Sequence, residues 1–336
     1  MKSKKFLTLS GLVLLQLFVA GAPGQNTVHS DIARVGVKNG WAVNYPKQRK
    51  LFFMAGRLWV FYSDGASMVY QTSPDGLAWS DPVTLRRKVT LGHRFGACFD
   101  GTYFHVVRCG AEAGEDVIYG RGRPTTEGGI DWRPEVIAYA VPEKKNVMYP
   151  KVMVDSAGLP WIAFMVFEGG FNQAPFDAVV TRAVGLDRGW QTAPGFPQVL
   201  VNDNTTSYPD PLGVSLTEGK TFWIYNRNVL NDVMYGRLWN GHAWEEEEPV
   251  TLKPSAYALY NAVAEGDTVH MVYGGGSIYY RGRDPERGWG TETHLSNDAG
   301  GHTSITRTGR NRVLVTWLDV SKQAVRYREL SDGRWL

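Results

Sequence analysis

A six-bladed β-propeller built of four-stranded antiparallel blades is the fold class this sequence predicts. Three observations predict it. A strand–turn–strand course recurs six times, each copy closes on a tryptophan, and no segment sustains the 3.6-residue apolar period of a helix. The closing tryptophans are Trp79, Trp132, Trp190, Trp244, Trp289 and Trp335. They stand about 45 to 58 residues apart, the length that four short strands need.

In the first copy RLWVFYSD is followed by MVYQT, the turn SPDGLAW and PVTL. The second runs TYFHVVRC, DVIYGRGR, GGIDW, EVIAY, and the third LPWIAFMV, DAVVTRA, LDRGW, QVLV. The fourth runs KTFWIYNR, DVMYGRL, NGHAW, PVTL, and the fifth TVHMVYGG, SIYYRGR, PERGW, THL. The sixth runs RVLVTWLD, AVRYREL, SDGRW and stops at Leu336. A Gly-containing turn (MAGRL, FDGTY, DSAGLP, TEGK, AEGD, TGRN) joins each copy to one strand before it, as tight hairpins require. One such blade cannot bury both faces, whereas a closed ring can. The sixth copy is expected to lack its outer strand, which residues 28–37 (VHSDIARVGV) would supply, so that the ring leaves no open edge.

The chain of 336 residues opens on the basic stretch MKSKK, an apolar stretch over residues 6–20, and the small residues Gly21, Ala22 and Gly24. That order is a secretory signal peptide, so residues 1–24 are expected to be removed and residues 25–336 to form one propeller domain, secreted or periplasmic. The apolar stretch, broken by Ser10, Gly11 and Gln16, is too short for a membrane span. The whole chain has 36 Lys+Arg and 33 Asp+Glu. Without the three leader lysines the two signs are equal, which argues against nucleic acid or a membrane surface as partner. The acidic run over residues 245–248 and the Lys144-Lys145 pair are expected to be solvated faces. Export permits a disulfide between Cys98 and Cys109, but the hairpin register does not set them opposite each other. No Cys or His spacing asks for a metal, and no cofactor is implied.

Ser73-Pro74-Asp75-Gly76-Leu77-Ala78-Trp79 is similar to the Asp-box, or BNR repeat, of sialidase-like propellers, Ser-x-Asp-x-Gly-x-x-Trp, though one residue shorter. Ser331-Asp332-Gly333-Arg334-Trp335 keeps Ser, Asp, Gly and Trp in altered spacing. The resemblance implies a structural turn on the face opposite the site, its Asp accepting turn N–H groups and its Trp lodged between hairpins. The Phe-Arg-Ile-Pro motif of true sialidases does not occur. The wider likeness is to secreted propellers that include glycosidases, uronate lyases and carbohydrate-binding proteins.

Two kinds of loop build the functional face of such a ring: those leading into the innermost strand, and those joining the second strand to the third. The lead-in loops offer Asn44-Tyr45-Pro46, His93 with Arg94, Tyr149-Pro150-Lys151, Tyr208-Pro209-Asp210, Tyr257 with Tyr260-Asn261, and His302. The residue before proline is held extended, so Tyr-Pro serves either as a structural turn or as a ring of phenols for sugars. The second kind offers Asp64, Arg108 with Glu112, Glu168, Asn226-Arg227-Asn228 and Asp319. Arg227 is expected at the channel rim, paired with a ligand carboxylate. The candidate catalytic residues are thus His93, Arg94, Tyr149, Asp210, Arg227 and His302. The candidate substrate-binding residues are Tyr45, Lys151, Tyr208, Asn226, Tyr260 and Asn261. In a lyase, Arg227 or Arg94 would neutralise a uronate, while His93, His302 or Tyr149 took the C5 proton. In a hydrolase, Asp210 would act with Glu168, Asp64 or Asp319. A non-catalytic glycan- or protein-binding ring is the alternative. An acidic glycan is the expected partner, and cleavage is preferred because the rim residues differ from blade to blade.

Overall fold

The computed structural model describes residues 42–43, 45–110, 112–169, 175–185, 189–203, 208–227, 233–255, 259–274, 276–297, 302–319, 322 and 324–336. Six antiparallel sheets follow one another along the chain, each an up-and-down meander of at least four strands. Their first strands are Leu51–Met54, Phe95–Phe99, Lys145–Val154, Leu212–Ser215, Tyr260–Glu265 and Ser304–Gly309. From blade 2 to blade 6, successive first strands pack against each other and line the axis. This is the six-bladed propeller that the repeat predicts. The helical elements among the described residues are two 3-10 turns, Pro46–Gln48 and Gly92–Arg94.

Both faces of a blade are covered by neighbours, so the second strands bury residues on both faces rather than at alternate positions alone. In blade 1, Trp59 and Phe61 point toward Phe95 and Phe104 of blade 2, while Val60 and Tyr62 point the other way. All of Trp161, Ile162, Ala163, Phe164, Met165, Val166 and Phe167 are buried for the same reason. Each closing tryptophan is half-buried, and five of them lie in the seam with the preceding blade. Trp132, Trp190, Trp244, Trp289 and Trp335 pack on the cores between blades 1–2, 2–3, 3–4, 4–5 and 5–6 respectively. Trp79 packs with Val60, Tyr62 and Val69 on the face of blade 1 turned away from blade 2.

Short side chains fix the hairpins. Asp75 Oδ1 accepts the N–H groups of Leu77 at 2.8 Å and Ala78 at 3.0 Å, and Ser73 Oγ accepts that of Gly76 at 2.8 Å. Those donors hold the Asp75 carboxyl below the usual carboxylate range. Asn240 and Asp284 grip the equivalent turns of blades 4 and 5 in the same way. The sixth blade ends on the two-residue strand Arg334–Trp335, paired with Leu330 and Ser331, the counterpart of Ile130–Trp132 and Gly288–Trp289, which in blades 2 and 5 precede a separate outer strand. Residues 28–37 lie outside the described residues. Cys98 and Cys109 are both buried free thiols.

Candidate functional site

The chain enters blade 1 through Tyr45, held extended before Pro46 (φ −79°, ψ 127°), and the 3-10 turn that Pro46 initiates. That turn touches the first strands of blades 2, 3 and 5, so it reaches across the axis. Lys47, fully buried, puts its ammonium on the Asp210 carboxylate of blade 4 and 3.8 Å above the Tyr260 ring of blade 5. Lys151 of blade 3 holds the other oxygen of Asp210 and donates to the Tyr149 carbonyl at 3.1 Å. Tyr260 donates its hydroxyl to the Asp210 backbone carbonyl. Gln48 donates to the carbonyls of His93 at 3.0 Å and Pro150 at 3.1 Å. Lys50 donates to those of Gly92 at 3.0 Å and Phe95. One short segment therefore ties five blades together. Gly96 permits the closeness, since a Cβ there would meet the Pro150 carbonyl at 2.7 Å.

Two ammonium groups share one carboxylate in a site closed to water. Burial dominates over the Asp210 charge and lowers Lys47 to about 7, with Lys151 lowered for the same reason. Lys50 is pushed well below its ordinary value by burial. The backbone here is strained as well. Arg49 (φ 43°), Tyr149 (φ 54°), Asp210 (φ 37°) and His302 (φ 65°) all occupy the left-handed region, which costs a non-glycine residue about 1–3 kcal/mol.

A pH dependence follows. Lys47 has a folded value near 7 and an unfolded one of 10.5. Between the two the unfolded chain binds more protons, so the contribution of Lys47 to stability rises with pH across that window and falls as pH drops through 7. Urea midpoints measured from about pH 6.5 to about pH 9.5 should rise in the parent chain and rise less in Lys47→Met. Parallel profiles would count against it.

The structure brings Tyr45, Tyr149, Lys151, Tyr208, Asp210 and Tyr260 together. The Tyr45 hydroxyl donates to that of Tyr149 at 3.3 Å, the two rings meeting edge to face at 4.9 Å. Tyr208, half-buried, leads outward, its ring 6.3 Å from Tyr149 and 4.9 Å from Phe176. His93 is buried edge-on to Tyr149 at 5.4 Å. Burial, then Arg94 and Lys50, lower it to about 3, which leaves a neutral imidazole too weak to serve as the base near pH 7 that its position suggests. Arg94 spends its guanidinium on the carbonyls of Gly110 at 2.6 Å and Val147 at 3.1 Å. Arg227 is not aimed at the channel. It turns to Glu247, with Nε 3.2 Å from Oε1, and lies 4.4 Å over the Tyr235 ring of its own blade. Asn261 is buried and accepts the Ala262 N–H at 2.9 Å. His302 is half-buried and lowered by burial. Asn226 is 1% exposed, with neither side-chain amide atom hydrogen-bonded. Asn44, Tyr257 and Asn228 lie outside the described residues.

Of the other carboxylates considered for hydrolysis, Glu168 pairs with Lys145 at 2.9 Å and Asp64 binds the N–H groups of Ala66 and Ser67. Asp319 pairs with Arg326 at 3.3 Å. Sequence reasoning passed over Lys47, Gln48 and Lys50. The signal was present: Tyr45-Pro46-Lys47 repeats Tyr149-Pro150-Lys151. Glu247 and Glu248, read as solvated, are instead ion-paired to Arg227 and Arg283. A cavity of about 280 Å³ lined by Met54, Phe99, Thr102 and Arg123 lies at the first-to-second-strand turns, away from this cluster. Among the described residues no group of three His, Cys, Asp or Glu side chains could hold a metal, and no helix is long and apolar enough to cross a membrane.

No protein-family profile matches the sequence, and no curated protein matches it. Solved structures do. AofleA from Arthrobotrys oligospora is 12% identical, with a TM-score of 0.57 over 88% of this chain and 86% of that one. A lectin from Aleuria aurantia, solved with α-methyl-L-fucoside, is 10% identical (TM-score 0.55, 85% of this chain and 92% of that one). A polysaccharide lyase described as an ulvan lyase is 11% identical (TM-score 0.52, 90% and 83%). A Hadza microbial sialidase is also similar, at 11% identity and a TM-score of 0.53 over 87% of this chain and 65% of that one. At these identities the likeness is one of fold.

Proposed function

We propose that this chain is an exported propeller that acts on carbohydrate at the axis cluster, and that the glycan is acidic. The observation that carries the reading is the charge set there: Lys47 and Lys151 share a single carboxylate, Asp210, among the phenols of Tyr45, Tyr149, Tyr208 and Tyr260. A ligand carboxylate supplies the negative charge this set lacks, and the tyrosine rings suit the apolar face of a pyranose. Neighbours named as a lectin with a bound fucoside, a polysaccharide lyase and a sialidase support the carbohydrate class. The leader composition supports export.

Elimination suits these groups better than hydrolysis. Hydrolysis needs two carboxylates about 5 to 9.5 Å apart across the scissile bond, and Asp210 is clamped between two lysines. In an elimination Lys151 would neutralise the uronate carboxylate and Tyr149, acting as its phenolate, would take the C5 proton and become the phenol. The electron pair left at C5 would form the C4–C5 double bond as the C4–oxygen bond breaks, and Tyr45, in hydroxyl contact with Tyr149, would protonate the departing oxygen. One observation favours a second reading, binding without cleavage: His93, Arg94 and Arg227 are committed to internal partners or held neutral.

The test incubates the mature chain with uronate polymers, sialosides and neutral fucosides. Reducing ends and the ultraviolet absorbance of unsaturated uronates are followed, with Tyr149→Phe as control. Both signals rising in the parent and absent from the variant are the expected result. Reducing ends alone would sink elimination in favour of hydrolysis. Calorimetric binding with neither signal would establish the second reading.

A further inference from the structure

We propose that Asn226 is a position that reads ligand hydroxyls: its side-chain amide, in the seam between blades 4 and 5, pairs with the vicinal hydroxyls of a bound sugar. The assignment rests on the carbohydrate reading above and deepens it. Asn226 is the last residue of the strand Thr221–Asn226, and alternation sets it on the face of Phe222 and Ile224. That face packs on Tyr260 and Tyr273 of blade 5. The Asn226 backbone N–H donates to the Pro209 carbonyl at 3.0 Å, one residue before Asp210, whose own carbonyl receives the Tyr260 hydroxyl. The amide thus stands beside the axis cluster.

It is also 1% exposed with Nδ2 and Oδ1 both unpartnered. A buried amide without partners is costly, and folded chains satisfy nearly all such groups. At the same end of the ring, in blade 6, Thr303 Oγ1 is fully buried and unpartnered, and His302 Nδ1 lacks a partner too. An orphaned amide presents donors and an acceptor in one plane. A carboxylate would satisfy only its nitrogen and a cation only its oxygen. Two adjacent hydroxyls, each able to donate and accept, satisfy both. The lysines therefore meet the acidic group of the ligand and Asn226 meets its diol.

The experiment compares the parent chain with Asn226→Leu, alike in branching and heavy-atom count though larger, and with Asn226→Ala in case leucine does not fit. Thermal unfolding is measured without ligand, and calorimetry uses a hexuronate oligosaccharide and α-methyl fucoside as probes. The ligand-free melting temperature should rise by about 2–4 °C, because an orphaned amide is removed. The dissociation constant for the bound probe should rise at least about tenfold. A fall in melting temperature in both variants would overturn the assignment, since Asn226 would then be holding the fold. Equal affinity in parent and variants would overturn it alone, leaving the carbohydrate reading intact. Failure of the parent to bind either probe would overturn that reading, and the assignment with it.

Discussion

Replacing Asp210 by alanine is expected to lower the unfolding free energy by about 3–5 kcal/mol, the cost of leaving buried charge without its counter-ion. Lys47 and Lys151 reach this carboxylate from blades 1 and 3, and all three side chains are buried. Without it, two lysine side chains face each other in a dry interior with no carboxylate between them, Lys47 lying over the Tyr260 and Tyr45 rings. The effect should be visible in urea titrations at neutral pH as a lowered midpoint with an unchanged slope. The triple variant Asp210→Ala, Lys47→Met, Lys151→Met is expected to recover most of the loss, because an apolar replacement of a whole buried ionic group is near neutral or stabilising. A single variant within about 1 kcal/mol of the parent would show that the carboxylate is not the counter-ion of both lysines.

Trp161→Ala is expected to cost about 3–5 kcal/mol by a different route, cavity formation. The Trp161 indole is fully buried at the blade 3–4 seam, with ring centres of Phe196, Trp223, Trp239 and Trp244 between 5.2 and 6.4 Å away. Its Nε1 donates to Asp155 Oδ2 at 2.8 Å, and the Arg182 guanidinium lies 5.1 Å from the ring. Alanine removes the filling of that box and the hydrogen-bond donor of a buried carboxylate oxygen, which keeps Arg182 at 3.6 Å. The half-buried closing tryptophan Trp335 gives the control: Trp335→Ala should cost distinctly less in the same titration. Equal losses would mean that burial depth does not set the effect.

The ring was legible because its physics is periodic. Six tryptophans, glycine-bearing turns and apolar second strands each recur at blade spacing, so one weak signal is read six times. The site was legible in part. Tyr45, Tyr149, Tyr208, Tyr260, Lys151 and Asp210 were found because the lead-in loops of a closed ring converge on its axis. The bond from Lys47 to Asp210 was not, since it spans the ring from blade 1 to blade 4 and no local pattern encodes which side chains meet at the centre. Arg227 was misread for a simpler reason. Alternation puts it with Tyr225, whose hydroxyl also binds Glu247 at 2.7 Å, and opposite to Asn226. The acidic run over residues 245–248 hid this, because a block of like charge gives no sign of which member turns inward.

The closing tryptophans bear on how the chain is made. Each one after the first stops the joint between its own blade and the blade synthesised just before it. A polypeptide emerging amino end first from a ribosome therefore carries with every new blade the plug for the gap behind it. Trp79 differs, sitting on the face of blade 1 turned away from blade 2, beside Val60, Tyr62 and Val69. Chains cut at successive blade boundaries should then resist proteases in all joints already plugged and yield at the unfinished end, a directional assembly written into the placement of one residue per repeat.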